Sequence, residues 1–184
     1  MSDGRIRCPW GDTEDTLMRE YHDKQWGKPC HDEKALFEML TLEGAQAGLS
    51  WSTILHKREG YRVAFDNWDI EKIASYGEEK IAELLENPGI VRNKLKVRSV
   101  VSNAQATLKI GSLDSFFWNY ASNTPIKNEW ALMSDVPATT ELSDKISRDM
   151  KKLGFKFVGS TIIYSFLQAV GIVNDHILGC EFRD

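Results

Sequence analysis

The sequence predicts an all-α fold, and three observations lead there. Apolar residues recur at helical spacing in successive runs between Leu36 and Val170. Residues that cap helix N-termini stand just before such runs: Asp32 or His31, Ser50 or Ser52, and Asp69. Residues that stop helices stand just after them, namely the triplet Asn87-Pro88-Gly89 and Gly154. A length of 184 residues suits one domain, at most in two lobes, with a sizeable core.

Residues 1–30 are polar and irregular apart from an amphipathic turn around Thr16 to Tyr21. In the next run, DEKALFEMLTLEGAQAGL, the residues Leu36, Met39, Leu40 and Ala47 form one stripe, and Glu43 falls on it. A carboxylate on a buried helix face must be paired, protonated or kept for a ligand, because desolvating its charge unaided costs several kcal/mol. A satisfied structural acid is the competing reading. Gly48 opens the backbone past the helix, Leu49 is an apolar tip, and Trp51 adds a flat ring. Carboxylate plus aromatic plane suits a flat cationic ligand.

A second helix runs from about Ser52, and IEKIASY and EEKIAELLE follow behind Asp69 and Gly77. Ile90, Val91, Leu95, Val100, Val101, Ala104 and Leu108 are spaced for a long helix from about residue 91, so a hairpin of roughly four residues joins two helices over about 78–109. Such a hairpin leaves backbone N–H groups unpaired at a positive helix end, which can hold a phosphate. Arg92, Lys94, Lys96, Arg98 and Lys109 lie between Asn87 and Leu113 with no acid among them, on a chain whose net charge is −4. A local basic surface on an acidic protein can still bind nucleic acid.

Asp114 reads as the cap of SFFWNY, and 121–140, holding two of the five prolines, reads as a long surface loop. A charged helix follows from about Ser143 to Leu153. The last helix, STIIYSFLQAVG, is apolar on nearly every side and should be central to the core.

His176 and Cys180 stand four apart, and Cys8 with His22 offers two more ligand types from the other end. Four nitrogen and sulfur donors fit tetrahedral Zn²⁺ in a closed structural site that would tie the N-terminal and C-terminal segments together. Cys30 and His31 compete as ligands, so spacing leaves the set open. An odd number of cysteines, three, favours metal binding or packing over disulfides. No run of about eighteen apolar residues and no secretion signal occurs, which makes the cytoplasm the default expectation, with no membrane partner.

These residues resemble the bacterial DNA-3-methyladenine glycosylase I family, zinc-containing members of the helix-hairpin-helix glycosylase superfamily. The blocks that carry the resemblance are YHDKQWG (21–27), LFEMLTLEGAQAGLSW (36–51), NPGIVRNKLK (87–96), GFKFVGSTIIYSF (154–166) and VNDHILGC (173–180). The resemblance implies an all-helical fold in two lobes, one structural zinc on Cys8, His22, His176 and Cys180, and Glu43 as the catalytic, base-binding acid. It further implies base-pocket aromatics at Trp10, Tyr21 and Trp51, with Trp26 nearby, a wedge at Gly48 and Leu49, and a DNA-gripping hairpin over Pro88, Gly89, Ile90 and Val91 with Arg92 and Lys94. The implied partner is double-stranded DNA with alkylated bases, the product is free 3-methyladenine, and a monomer is expected. Relatives commonly carry a tyrosine where this chain has Met18, which can still press sulfur against a ring. Rival readings are a zinc-stabilised DNA-binding module, which leaves Glu43 unemployed, and a small-nucleoside hydrolase, which gains nothing from the hairpin.

Overall fold

The computed structural model describes residues 4–183. It is built almost wholly of helices: α1 (Thr16–Lys24), α2 (Glu33–Ala45), α3 (Trp51–Ala64), α4 (Ile70–Ala74), α5 (Glu78–Glu86), α6 (Lys94–Ile110), α7 (Leu113–Asn119), α8 (Glu141–Lys152) and α9 (Ser160–Ala169). Short polar side chains set most of their starts. Asp15, Asp32, Ser50, Asp69, Asn93, Ser112 and Thr140 each accept a hydrogen bond from a first-turn amide.

Three expectations shift here. The long helix begins at Lys94 rather than about residue 91, because the Asn93 side chain takes the Lys96 amide and fixes the start. Ser112, not Asp114, caps α7, while the Asp114 carboxylate bonds Nδ1 of His31 at 2.6 Å. The 121–140 segment is less irregular than expected: Ile126–Lys127 (β1) pairs in parallel with Val173–Asn174 (β2), and Met133–Asp135 forms a 3₁₀ turn. That pairing ties the segment to the C-terminal end of the chain.

Two helices form the centre. α9 is as buried as its composition requires, and it packs on α8 and α2. α2 is buried from Leu36 to Ala45 on every side, not along one stripe, since α3, α6, α7 and α9 all pack around it. Its three acids therefore each need a solution. Glu33 accepts from the Leu113 and Asp114 amides and caps α7, and Glu38 takes both arms of the Arg58 guanidinium at 2.8 and 2.9 Å. Glu43 has neither kind of partner.

The turn between α5 and α6 docks on α3. Lys57 donates to the Pro88 carbonyl, the Tyr61 hydroxyl accepts from the Val91 amide, and Gly60 meets Gly89 backbone to backbone. A methyl group at Gly60 would lie 2.3 Å from the Gly89 carbonyl oxygen. Gly60→Ala thus opposes a helix-propensity gain of about 1 kcal/mol to a backbone clash that cannot relax by a rotamer change. The clash should win by about 1–3 kcal/mol, lowering the melting temperature by roughly 2–4 °C per kcal/mol. A melting curve at or above wild type would show that the turn does not bear on α3.

Candidate active site

A cleft of about 380 Å³ opens between α1, the C-terminal end of α2, the start of α3, the 133–138 segment and α9. Glu43, Trp10, Tyr21, Trp26 and Trp51, brought from four separate stretches, all line it, and so does Met18. The Tyr21 and Trp51 rings lie 5.2 Å apart at 48°, and Trp10 meets Trp26 edge to face at 5.0 Å. Sequence reasoning missed the other walls: Met133, Val136, Pro137 and Ala138 from the loop, and Thr161, Tyr164, Ser165 and Gln168 on one side of α9. The polar residues at helical spacing on an otherwise apolar α9 were the available signal.

Glu43 is only 5% exposed. Burial pushes its carboxyl up from the ordinary 4.5 to about 8, and no hydrogen bond or counter-charge among the described residues offsets that cost. Burial also raises the Tyr21 hydroxyl well above its usual range, with Glu43 adding to the effect. The indole N–H of Trp51 is buried without an acceptor among the described residues. An unpaired acid and an orphaned donor beside aromatic faces suit a flat ligand that brings its own charge and hydrogen-bonding edge.

A smaller hollow, sharing Glu43, Gln46, Thr161 and Ser165 with the cleft, reaches Gly48 and Leu49. Gly48 stands at φ 79°, a left-handed conformation that glycine adopts without strain, and Leu49 is 40% exposed beside it. The ammonium of Lys96 donates to the carbonyls of Ala45 and Ala47, at 2.8 and 2.6 Å, pinning the base of this loop to α6.

The basic run is consequently smaller than its count suggests. Lys96 is used on the loop and Arg98 is bonded to Glu78, whereas Arg92 and Lys94 stand exposed. The hairpin amides also differ from expectation, since those of Gly89, Ile90, Val91 and Asn93 all have internal acceptors. What faces outward is the start of α6 with Arg92 and Lys94, while Pro88 is exposed and Ile90 buried as an anchor.

At the chain ends, donor atoms of Cys8, His22 and Cys180 all lie within 4.8 Å of one another, and all three residues are buried. Asp23, itself held by Arg7, bonds Nδ1 of His22 at 2.8 Å, leaving Nε2 to face Cys180 Sγ at 3.6 Å. His176 falls outside that tight group, but its ring centre is 4.8 Å from that of His22. Its Nδ1 is bonded to Asn174, and its buried Nε2 has no partner among the described residues. Burial pushes the Cys8 thiol up to about 12 and the His176 imidazole down to about 4. Paired thiolates here would require a cation beside them, and two sulfurs with two imidazoles are the donor set that Zn²⁺ favours. Cys30 and His31 take no part in this group, His31 being stacked on Trp118.

The cleft and this group share walls. Trp26 meets His176 edge to face at 4.6 Å, and Trp10 meets His22 at 4.9 Å.

Comparison with known proteins agrees with this geometry. The family model described as methyladenine glycosylase matches residues 10–184. DNA-3-methyladenine glycosylase 1 of Escherichia coli K12 is 44% identical over 178 residues, covering 95% of each chain. A crystal structure of 3-methyladenine DNA glycosylase I superposes with TM-score 0.92 at 46% identity, over 96% of this chain and 98% of the other. A variant of 3-methyladenine DNA glycosylase I in complex with 3-methyladenine gives TM-score 0.93 at 37% identity, over 97% of each chain. The chain belongs to the methyladenine glycosylase family.

Proposed function

We propose that this chain is a DNA repair glycosylase that hydrolyses the N-glycosidic bond of 3-methyladenine in alkylated DNA, releasing the base and leaving an abasic site. One observation carries the reading: a buried acid without a partner in an aromatic cleft, within a family whose relatives bear that activity by name. The whole described chain works as one glycosylase domain in this reading. Residues 1–3 and 184 lie outside the described residues.

Chemistry on a base in a duplex requires extruding it, at a few kcal/mol, and a damaged base is the cheaper one to extrude. Leu49 and Gly48, exposed at the rim, suit the gap left in the stack. The alkylated purine is cationic and already an activated leaving group. The bond between deoxyribose C1′ and the base nitrogen breaks with its electron pair going to the base, and water supplies the hydroxyl to C1′. Glu43 as a carboxylate would accept hydrogen bonds from the base's N–H edge and favour its cationic form, between Tyr21 and Trp51 with Trp10 and Trp26 behind. The base's positive charge opposes the desolvation that raises the Glu43 carboxyl, and so favours its ionised form.

The helix-hairpin-helix reading of α5, the turn and α6 puts Arg92 and Lys94, with the start of α6, against a backbone phosphate. In this reading Asp114, engaged by His31, takes no part at the sugar. One Zn²⁺ held by Cys8, His22, His176 and Cys180 would tie the two ends together and brace the aromatic wall. The metal's role is structural, with no open position for a substrate.

Three tests follow from these assignments. Elemental analysis of protein purified without added metal should find one zinc per chain, and removing it should lower the melting temperature; substoichiometric zinc in active protein counts against the site. Reversing charge at Arg92 or Lys94 should weaken DNA binding, reduce its salt slope by about one unit each, and leave free-base affinity intact. An unchanged slope would place these residues against bulk solvent.

Glu43→Gln should weaken binding of free 3-methyladenine about ten- to a hundred-fold, since a charge-assisted hydrogen bond is worth roughly 1.5 to 3 kcal/mol. Stability supplies a second readout. With the folded value raised to about 8 from 4.5, Glu43 binds a proton in the folded state that the unfolded chain has lost. Its contribution is therefore fully present below 4.5 and is lost as pH rises through 8. The Gln variant should lack that decline and melt at or above wild type at neutral pH. A variant with unaltered base affinity and reduced stability would sink the assignment.

A further inference from the structure

Asp175 is fully buried beside the cleft. Its Oδ1 accepts from Nδ2 of Asn128 and Nε1 of Trp130, both at 2.7 Å, and its Oδ2 accepts from Nε2 of Gln168 at 2.8 Å and from the Tyr164 hydroxyl. With donors on every side, this carboxylate acts only as an acceptor. The Gln168 amide then has one permitted orientation, nitrogen toward Asp175 and oxygen away from it. Its backbone is fixed as well, since the Gln168 carbonyl accepts from the Gly27 amide at 2.8 Å. Gln168 and Tyr164 line the cleft together with Glu43, and the Gln168 side-chain oxygen accepts from no described residue.

We propose that Gln168, oriented by Asp175, is a specificity-determining residue that makes the pocket select a purine bearing a 6-amino group over its 6-oxo counterpart. The inference rests on the reading of the cleft as a base pocket. An amino group donates to a fixed acceptor, whereas an oxo group turns lone pairs toward it and leaves both oxygens unpaired, the mismatch that buried sites reject most strongly. Glu43 cannot enforce that choice alone. Its carboxyl, pushed up to about 8 by burial, has both forms within reach, accepting from an amino group as the carboxylate and donating to an oxo group as the acid. The Gln168 amide has no such latitude, because turning it over would set its carbonyl against the Asp175 carboxylate.

Titrating free 3-methyladenine and 3-methylhypoxanthine, which differ in the 6-substituent and in the ring N–H that the oxo form carries, tests this by tryptophan quenching or NMR on the full chain. Wild type should prefer the amino base. In Gln168→Met, affinity for 3-methyladenine should fall about 2- to 10-fold, the value of one neutral hydrogen bond, while 3-methylhypoxanthine binds as before or more tightly, so the preference narrows. Asp175→Asn, followed with a melting curve, presents an N–H to Gln168, allows the amide to turn over, and should narrow the preference likewise in folded protein. A Gln168→Met protein that keeps the full preference overturns the proposal and leaves the base-pocket reading standing. Wild type that binds neither base overturns both, and the Gln168→Met result decides the matter whether or not Asp175→Asn folds.

Discussion

The constraint on which the architecture turns is the burial of one unpaired carboxylate at the end of the central helix. α2 carries acids at positions 33, 38 and 43, and the fold neutralises the first two with amides of α7 and with Arg58. Glu43 alone stays desolvated, a condition that costs stability and persists only where the surroundings are rigid enough to prevent relaxation. A floppier wall would admit water or let the side chain turn outward. Packing opposes both: α9 and α3 crowd α2, and Tyr21, Trp51 and the 133–138 segment line the cleft around the acid.

Rigidity of that wall reaches the cleft from the chain ends. Trp10 and Trp26 touch the cleft on one side and the His22 and His176 rings on the other. The C-terminal segment then acts twice within three residues: Asn174 orients the His176 ring, and Asp175 gathers Asn128, Trp130, Tyr164 and Gln168. The buried His176 ring and the polar hub at Asp175 share one short stretch, so the C-terminal segment meets both the group at the chain ends and the polar side of α9.

Helices and their caps were legible because capping and periodicity are local. Asp32, Asp69 and the Asn87-Pro88-Gly89 break all act within a turn or two of sequence. Glu43 was legible because an acid on an apolar stripe contradicts its surroundings in the sequence itself, and Trp51 because it stands close by; Trp10, Tyr21 and Trp26 were named only by the family resemblance. Asp175 was not: its donors come from positions 128, 130, 164 and 168, and nothing nearby marks it as a hub. Ala121 to Thr140 lacks periodicity because its order comes from pairing with β2 and from Asp175, not from its own residues. Of the hairpin amides only that of Val91 misled for the same reason, since Tyr61, which satisfies it, lies thirty positions away; those of Gly89, Ile90 and Asn93 turn to acceptors within the hairpin itself.

Lys96 connects the loop of Gly48 and Leu49 to the start of α6. By charge count it belongs with Arg92 and Lys94, yet its ammonium is spent on the carbonyls of Ala45 and Ala47. A lysine bound to the C-terminal carbonyls of α2 complements that helix end and fixes where Gly48 and Leu49 stand relative to the start of α6. The exposed cations left beside the hairpin are few, and the chain as a whole is acidic. A surface with few cations makes few phosphate contacts, so its grip on a backbone is weak and its salt dependence shallow. The cleft differs from that surface in kind: there a desolvated acid stands among aromatic rings, where a cation would offset its burial and a neutral ring would not.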